Sequence, residues 1–174
     1  MGGDCTEREE IPGEIAAYEV GPAGYSVLEG FSCGDGDTAW ERYVNSRVEQ
    51  YAAGWYENDT IVRVAVERPG DSVIGVVGFF PHGWEPDDPL LAELKGAGFI
   101  EALGVSKAYR GKAKNGHNLG DHVLSDALGA IRARRGPSWV LGHVQPGNQY
   151  GERLLGRNGF LKMSGPLWGR LPMP

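Results

Sequence analysis

The sequence predicts a single α/β domain, and three observations predict it. Runs rich in β-branched residues at 60–67 and 72–80 read as strands. A stripe of apolar residues at helical spacing covers 119–135. Between them, a strand at 99–106 leads through a glycine-containing turn to the start of that helix. The chain has 174 residues, the size of one ordinary domain, and its 41% hydrophobic content suits a globular core.

The elements follow in order. Residues 1–24 contain Pro12, Gly13, Gly21, Pro22 and Gly24 and read as a loose start, with a short strand near 15–20. "FSCGDGD" (31–37) is turn chemistry, and Asp37 or Thr38 caps a helix that runs to about Ala53 and ends at Gly54. "TIVRVAVE" and "SVIGVVGFF", joined by "RPGD", form a hairpin. "PHGWEPDDP" is a loop, and "LLAELKGAG" supplies one or two helical turns. "FIEALGVS" is a buried strand. Leu119, Val123, Leu124, Ala127, Leu128 and Ile131 form the helical stripe, with Asn118 as its cap and Gly136-Pro137 as its stop. "SWVLGHV" is a strand, and "NQYGERLLGRNGF" is a short helix ending at Gly159. A last strand near 161–171 is interrupted by Pro166.

Net charge is −6 and is distributed unevenly. Residues 1–104 carry 20 acidic and 6 basic side chains, and residues 105–174 carry 3 and 11. That split suggests two binding surfaces of opposite sign, one for a cation and one for an anion. Only Cys5 and Cys33 are present, too few for a disulfide framework. The acidic start "MGGDCTEREE" lacks the apolar region of a secretory signal, though Gly2 and Thr6 match a short myristoylation pattern that is common by chance. No apolar run is long enough to span a bilayer. The expectation is a cytoplasmic protein without a membrane partner.

The stretch "YRGKAKNGHNLGDHVL" (109–124) carries the anion chemistry. A strand, a glycine turn and a helix N-terminus present free N–H groups and the positive end of the helix dipole. Arg110, Lys112 and Lys114 add charge. The Gly-Lys-Ser/Thr ending of a Walker turn is absent.

"GFIEALGVSKAYRGK…LGDHVLSDAL", followed by a strand and "N-x-x-G-x-x-L-L-x-x-x-G-F" at 148–160, resembles the GNAT acyltransferase superfamily over about residues 60–163. The resemblance implies the GNAT fold, an α/β (by some schemes α+β) domain with a central mixed, mostly antiparallel sheet flanked by helices. It implies acetyl-CoA or another acyl-CoA as donor, with no metal. By the same resemblance Leu103, Gly104 and Val105 lend backbone groups to the pantetheine arm. Arg110, Gly111, Lys112, Leu119 and Gly120 cradle the pyrophosphate, and Asn148 meets the cofactor arm. Asn118 stands where the family has a glycine, and "AKNGH" (113–117) is a five-residue insertion. It is either a solvent bulge or a flap that brings Lys114 and His117 to the phosphates.

Acyl transfer to an amine needs a base for the amine and an acid for the leaving thiolate. In the superfamily a Glu on the strand of Glu101 often acts as base, and burial of an unpaired carboxylate there would be costly. The alternative for Glu101 is an ion pair with a neighbouring Arg. His143, one residue before the end of its strand, is the second candidate base. His82 and His122 read as loop and helix-surface residues. The family's acidic Tyr falls on Leu155, and Tyr150 lies five positions away on the helix. Thiolate departure is then left to water, to another residue such as Tyr109, or to no acid at all.

These residues point to an N-acetyltransferase that passes the acetyl group of acetyl-CoA directly to a primary amine of a small cationic substrate. "FSCG" also resembles the start of GNAT-type toxins that acetylate aminoacyl-tRNA, but the acidic N-terminal part would repel RNA. A non-catalytic CoA-binding domain is the third reading. A nucleic-acid partner is not expected, and a homodimer is left open.

Overall fold

The computed structural model describes residues 16–20, 26–55, 59–67, 72–111, 113–114, 117–135 and 139–171, with backbone alone at 16–20, 113–114, 117 and 135. Its order is β1 (Ala16–Val20), α1 (Ala39–Ala52), β2 (Ile61–Glu67), β3 (Ser72–Phe80), β4 (Gly98–Val105), β5 (Ala113–Lys114), β6 (His117–Asn118), α2 (Leu119–Arg135), β7 (Val140–His143), α3 (Gln149–Arg157), β8 (Leu161–Ser164) and β9 (Leu167–Arg170). Seven strands form one sheet in the order β1-β2-β3-β4-β7-β9-β8. All neighbours are antiparallel except β4 and β7. This is the mixed, mostly antiparallel sheet flanked by helices that the sequence leads one to expect.

Helix α1 starts at a capping box: Thr38 Oγ1 accepts from Glu41 N–H, and Glu41 Oε2 accepts from Thr38 N–H. It stops where Gly54 takes a left-handed φ of 74°. Val44, Val48 and Tyr51 are buried at helical spacing and share a core with Val62, Val64, Val66, Val76 and Ala102. A second core joins the Val123, Leu124, Ala127 and Ile131 stripe of α2 to Val77, Phe79 and Ile100. Helices thus flank a sheet whose central strand is β4.

Three expectations change in detail. The last strand is a hairpin, β8 and β9, because Gly165 adopts a left-handed φ of 52° and Pro166 has no N–H for a ladder. The segment "LLAELKGAG" begins as a 3-10 helix, Pro89–Leu94, capped by the Asp88 side chain. The "AKNGH" insertion contributes to a two-rung antiparallel ladder, Ala113 opposite Asn118 and Lys114 opposite His117. Residues 115–116 lie outside the described residues, as do Lys112 and the side chains of Lys114 and His117 on which the choice between bulge and flap rests.

Candidate active site

Strands β4 and β7 run in parallel for three residue pairs only, ending at Ile100 opposite Gly142. Beyond that pair β4 continues for five residues, Glu101 to Val105, with no partner on β7. The register between β3 and β4 shows why. Phe79 faces Ile100 and Gly78 faces Ala102, so Glu101 is an extra residue, a β-bulge. A bulge bends its strand and re-aims a side chain. It also switches which residues turn their backbone groups to which edge. Before it, Gly98 N–H donates to Trp139 on the β7 side; after it, Ser106 N–H donates to Ile74 on the β3 side. Glu101, Leu103 and Val105 therefore present their backbone groups to the open edge.

The opening is a cavity of about 230 Å³. β4 lines it with Glu101 and Leu103, β7 with His143, α3 with Asn148 and Leu155, and α1 with Trp40 and Tyr43. Among the residues expected at the site, the fold thus brings Glu101, Leu103, His143 and Asn148 to one cleft.

Glu101 is firmly engaged there. One carboxylate oxygen pairs with the Arg47 guanidinium, and the other accepts from Tyr51 Oη at 2.6 Å. Burial pushes the Tyr51 phenol far up, so it remains a donor. Tyr51 comes so close to β3 that a Cβ on Gly78 would lie 2.1 Å from its hydroxyl, which is why glycine stands at 78. The ion pair with a neighbouring Arg, the alternative read from sequence, is present.

His143 is placed differently. Its ring meets Phe99 edge-on at 5.2 Å, and Phe99 in turn stacks on Trp84 at 6.3 Å. Loss of solvation lowers the His143 pKa from 6.5, so the imidazole is neutral at pH 7 and can accept a proton. Asn148 caps α3, its side-chain oxygen accepting from Gly151 N–H at 2.9 Å. Leu155 is buried, so the expected tyrosine position contributes only apolar surface.

The phosphate turn departs from expectation. Arg110 points inward: it pairs with Glu41 at 2.9 Å, donates to the Cys33 carbonyl and lies 4.7 Å from the Trp40 ring centre. Burial raises the Glu41 pKa, but the contacts from Arg110 and Thr38 outweigh it and hold the carboxyl below 4.5. Gly111 takes a left-handed φ of 72°, as a tight turn requires. Leu119 is buried in the core, and Gly120 lies beside Leu154 of α3. Asp121 occupies the first turn of α2, where it accepts from Asn118 N–H at 3.2 Å, Arg157 at 3.1 Å and Asn158 at 2.7 Å. Lys107 pairs with Asp35. Gly104 packs tightly under α1, 2.7 Å from Val44 where a Cβ would sit, and is a packing residue as well as a strand residue.

Sequence reasoning missed Arg47, Tyr51, Tyr43, Asp121 and Arg157. The helical spacing of Val44, Val48 and Tyr51 was a signal that Tyr51 faces the sheet. Nothing in the linear spacing pairs Arg47 with Glu101, because the bulge that aims the carboxylate is visible only in the register.

No protein-family model and no curated protein matches this sequence. Solved structures match along almost the entire chain. One is the KacTA–DNA complex, at 11% identity over 91% of this chain and 93% of that chain, with a TM-score of 0.66. Another is a variant of the toxin AtaT bound to the C-terminus of the antitoxin AtaR and acetyl-CoA, at 12% identity, 90% and 92% coverage, and a TM-score of 0.61. A third is a GNAT-family acetyltransferase from Staphylococcus aureus Mu50, at 12% identity, 91% and 99% coverage, and a TM-score of 0.62. What this chain shares with them is the fold.

Proposed function

We propose that this protein, having the fold of the GNAT acetyltransferases, is itself an acyl-CoA-dependent N-acetyltransferase. The observation that carries the reading is the unpartnered edge of β4 beside a cleft that holds a neutral histidine. The thioester arm of acetyl-CoA would add along this edge, accepting from the backbone N–H groups of Leu103 and Val105. The amine nitrogen attacks the thioester carbonyl carbon, and backbone N–H polarises the carbonyl oxygen. Of the two candidate bases, His143 suits the task better. Glu101 is tied to Arg47 and Tyr51, whereas His143 has Phe99 beside it and a basic nitrogen at neutral pH. The Arg47–Glu101–Tyr51 cluster then serves to fix the bulge. The pyrophosphate would sit at the start of α2, near Gly111, Asn118 and Gly120, with Lys112 and Lys114 a few residues away in sequence.

A small cationic amine is the proposed acceptor. Glu85, Asp87, Asp88 and Glu93 are exposed on the segment that also carries Trp84, next to Phe99 and His143. A second reading, toxin-like acetylation of aminoacyl-tRNA, is favoured by the likeness to AtaT and opposed by the acidic N-terminal part. Turnover of acetyl-CoA against a panel of primary amines tests the first reading. Retention of the protein on charged tRNA at moderate salt, with no small-amine turnover, would replace it by the second.

A further inference from the structure

The thiolate that leaves acetyl-CoA needs a proton, and among the described residues the cleft holds one hydroxyl able to give it. We propose that Tyr43, on α1, is the general acid of the acetyl transfer, which rests on the N-acetyltransferase reading above. Four tyrosines have described side chains, and three are disqualified by position. Tyr51 is fully buried, with its hydroxyl on Glu101. Tyr109 donates to Glu67 at 2.5 Å, and that hydrogen bond raises its pKa. Tyr150 is 67% exposed on α3 and does not line the cleft.

Tyr43 lines the cleft together with His143, and is 39% exposed, so solvent can reprotonate it. Its hydroxyl donates to the Glu101 carbonyl at 3.2 Å, on the open edge of β4 at the bulge. That edge is where the donor's arm would lie, two residues from Leu103. An arriving thioester therefore competes for the same place, and a phenol held by one long hydrogen bond is released easily to the sulfur. The fold thus offers a proton donor from α1, in front of the sheet edge, where α3 presents Leu155.

The step balances. The acceptor first gives its ammonium proton to solvent; the neutral amine nitrogen then forms the N–C bond and loses a second proton to His143. The C–S bond breaks, its electron pair stays on sulfur, and sulfur takes the Tyr43 proton to leave as CoA thiol. Solvent returns the proton from the imidazolium to the phenolate, giving the amide and free CoA.

The test measures release of CoA thiol from acetyl-CoA with tyramine, cadaverine and lysine methyl ester, for wild type and Tyr43→Phe. Calorimetry gives the acetyl-CoA affinity of each. The expected result is a fall in kcat of about 100-fold with KM for acetyl-CoA unchanged. Replacing Tyr43 by a fluorinated tyrosine, which keeps the hydroxyl, should keep activity. Equal kcat in Tyr43→Phe would overturn the assignment while leaving the enzyme reading intact. Acetyl-CoA binding without thiol release in wild type would overturn catalysis, Tyr43 included, and leave a CoA-binding domain. No binding at all would overturn the donor assignment as well.

Discussion

The open edge of β4 and the N-terminus of α2 are the two places where an acyl-CoA donor should be held, and they are equipped in opposite ways. Along the edge, backbone groups at Leu103 and Val105 have no partner strand among the described residues, and the His143 ring lies edge-on to Phe99. At the helix start, two of the described polar side chains, Asp121 and Arg110, already serve the fold. Asp121 accepts from Asn118, Arg157 and Asn158, and Arg110 is engaged by Glu41 and by the carbonyls of Cys33 and Val105. The acidic first part and the basic last part meet each other, at Glu41 with Arg110 and at Asp35 with Lys107. Opposite blocks of charge in a sequence can be two halves of an internal interface before they are two binding surfaces.

The largest effect should come from the cleft. His143→Gln should lower kcat by about 10²- to 10⁴-fold, as removal of a general base does. Because loss of solvation lowers the His143 pKa below 6.5 in the fold, the wild-type rate should hold down through pH 6.5 and fall as the pH drops through the lower folded value. That acid limb should vanish in the variant. A retained limb would pass the role back to Glu101 or to water.

Glu101 should respond in stability. Arg47→Met leaves a carboxylate that is 10% exposed without its cation, and should cost about 3 kcal/mol in urea unfolding. A loss below about 0.5 kcal/mol, within the ordinary range of surface substitutions, would mean that the pair does not hold the bulge.

The smallest effect belongs to the turn. Asp121→Asn removes a negative charge from the first turn of α2 and releases Arg157 to a bound phosphate. Acetyl-CoA should bind a few-fold tighter, on the order of 0.5 kcal/mol, with a steeper salt dependence. Weaker binding would show that Asp121 shapes the site through Asn118 and Asn158 instead.

Much of this fold was legible. The β-branched runs at 60–67 and 72–80, the stripe from Leu119 to Ile131 and the caps at Thr38 and Gly54 all act locally, so the sequence displays them. The final hairpin was readable in principle, since Gly165-Pro166 is turn chemistry rather than a flaw in one strand. So was the ladder of Ala113–Lys114 with His117–Asn118, since the sequence puts Asn-Gly, a hairpin signal, between its two halves. The bulge at Glu101 was not readable. It depends on the register between β3 and β4, and the partner of Glu101 depends on it in turn. Arg110 misled for the same reason: a basic residue beside a glycine turn looks like a phosphate ligand until Glu41 and Cys33 are folded against it.

Amide hydrogen exchange at Leu103 and Val105 tests the central claim most directly, because it reads the unpartnered β4 edge itself. Saturating acetyl-CoA should slow exchange at both amides, with little change at Gly104, whose backbone faces β3. Calorimetry showing bound acetyl-CoA while both amides exchange at their free rates would contradict the account.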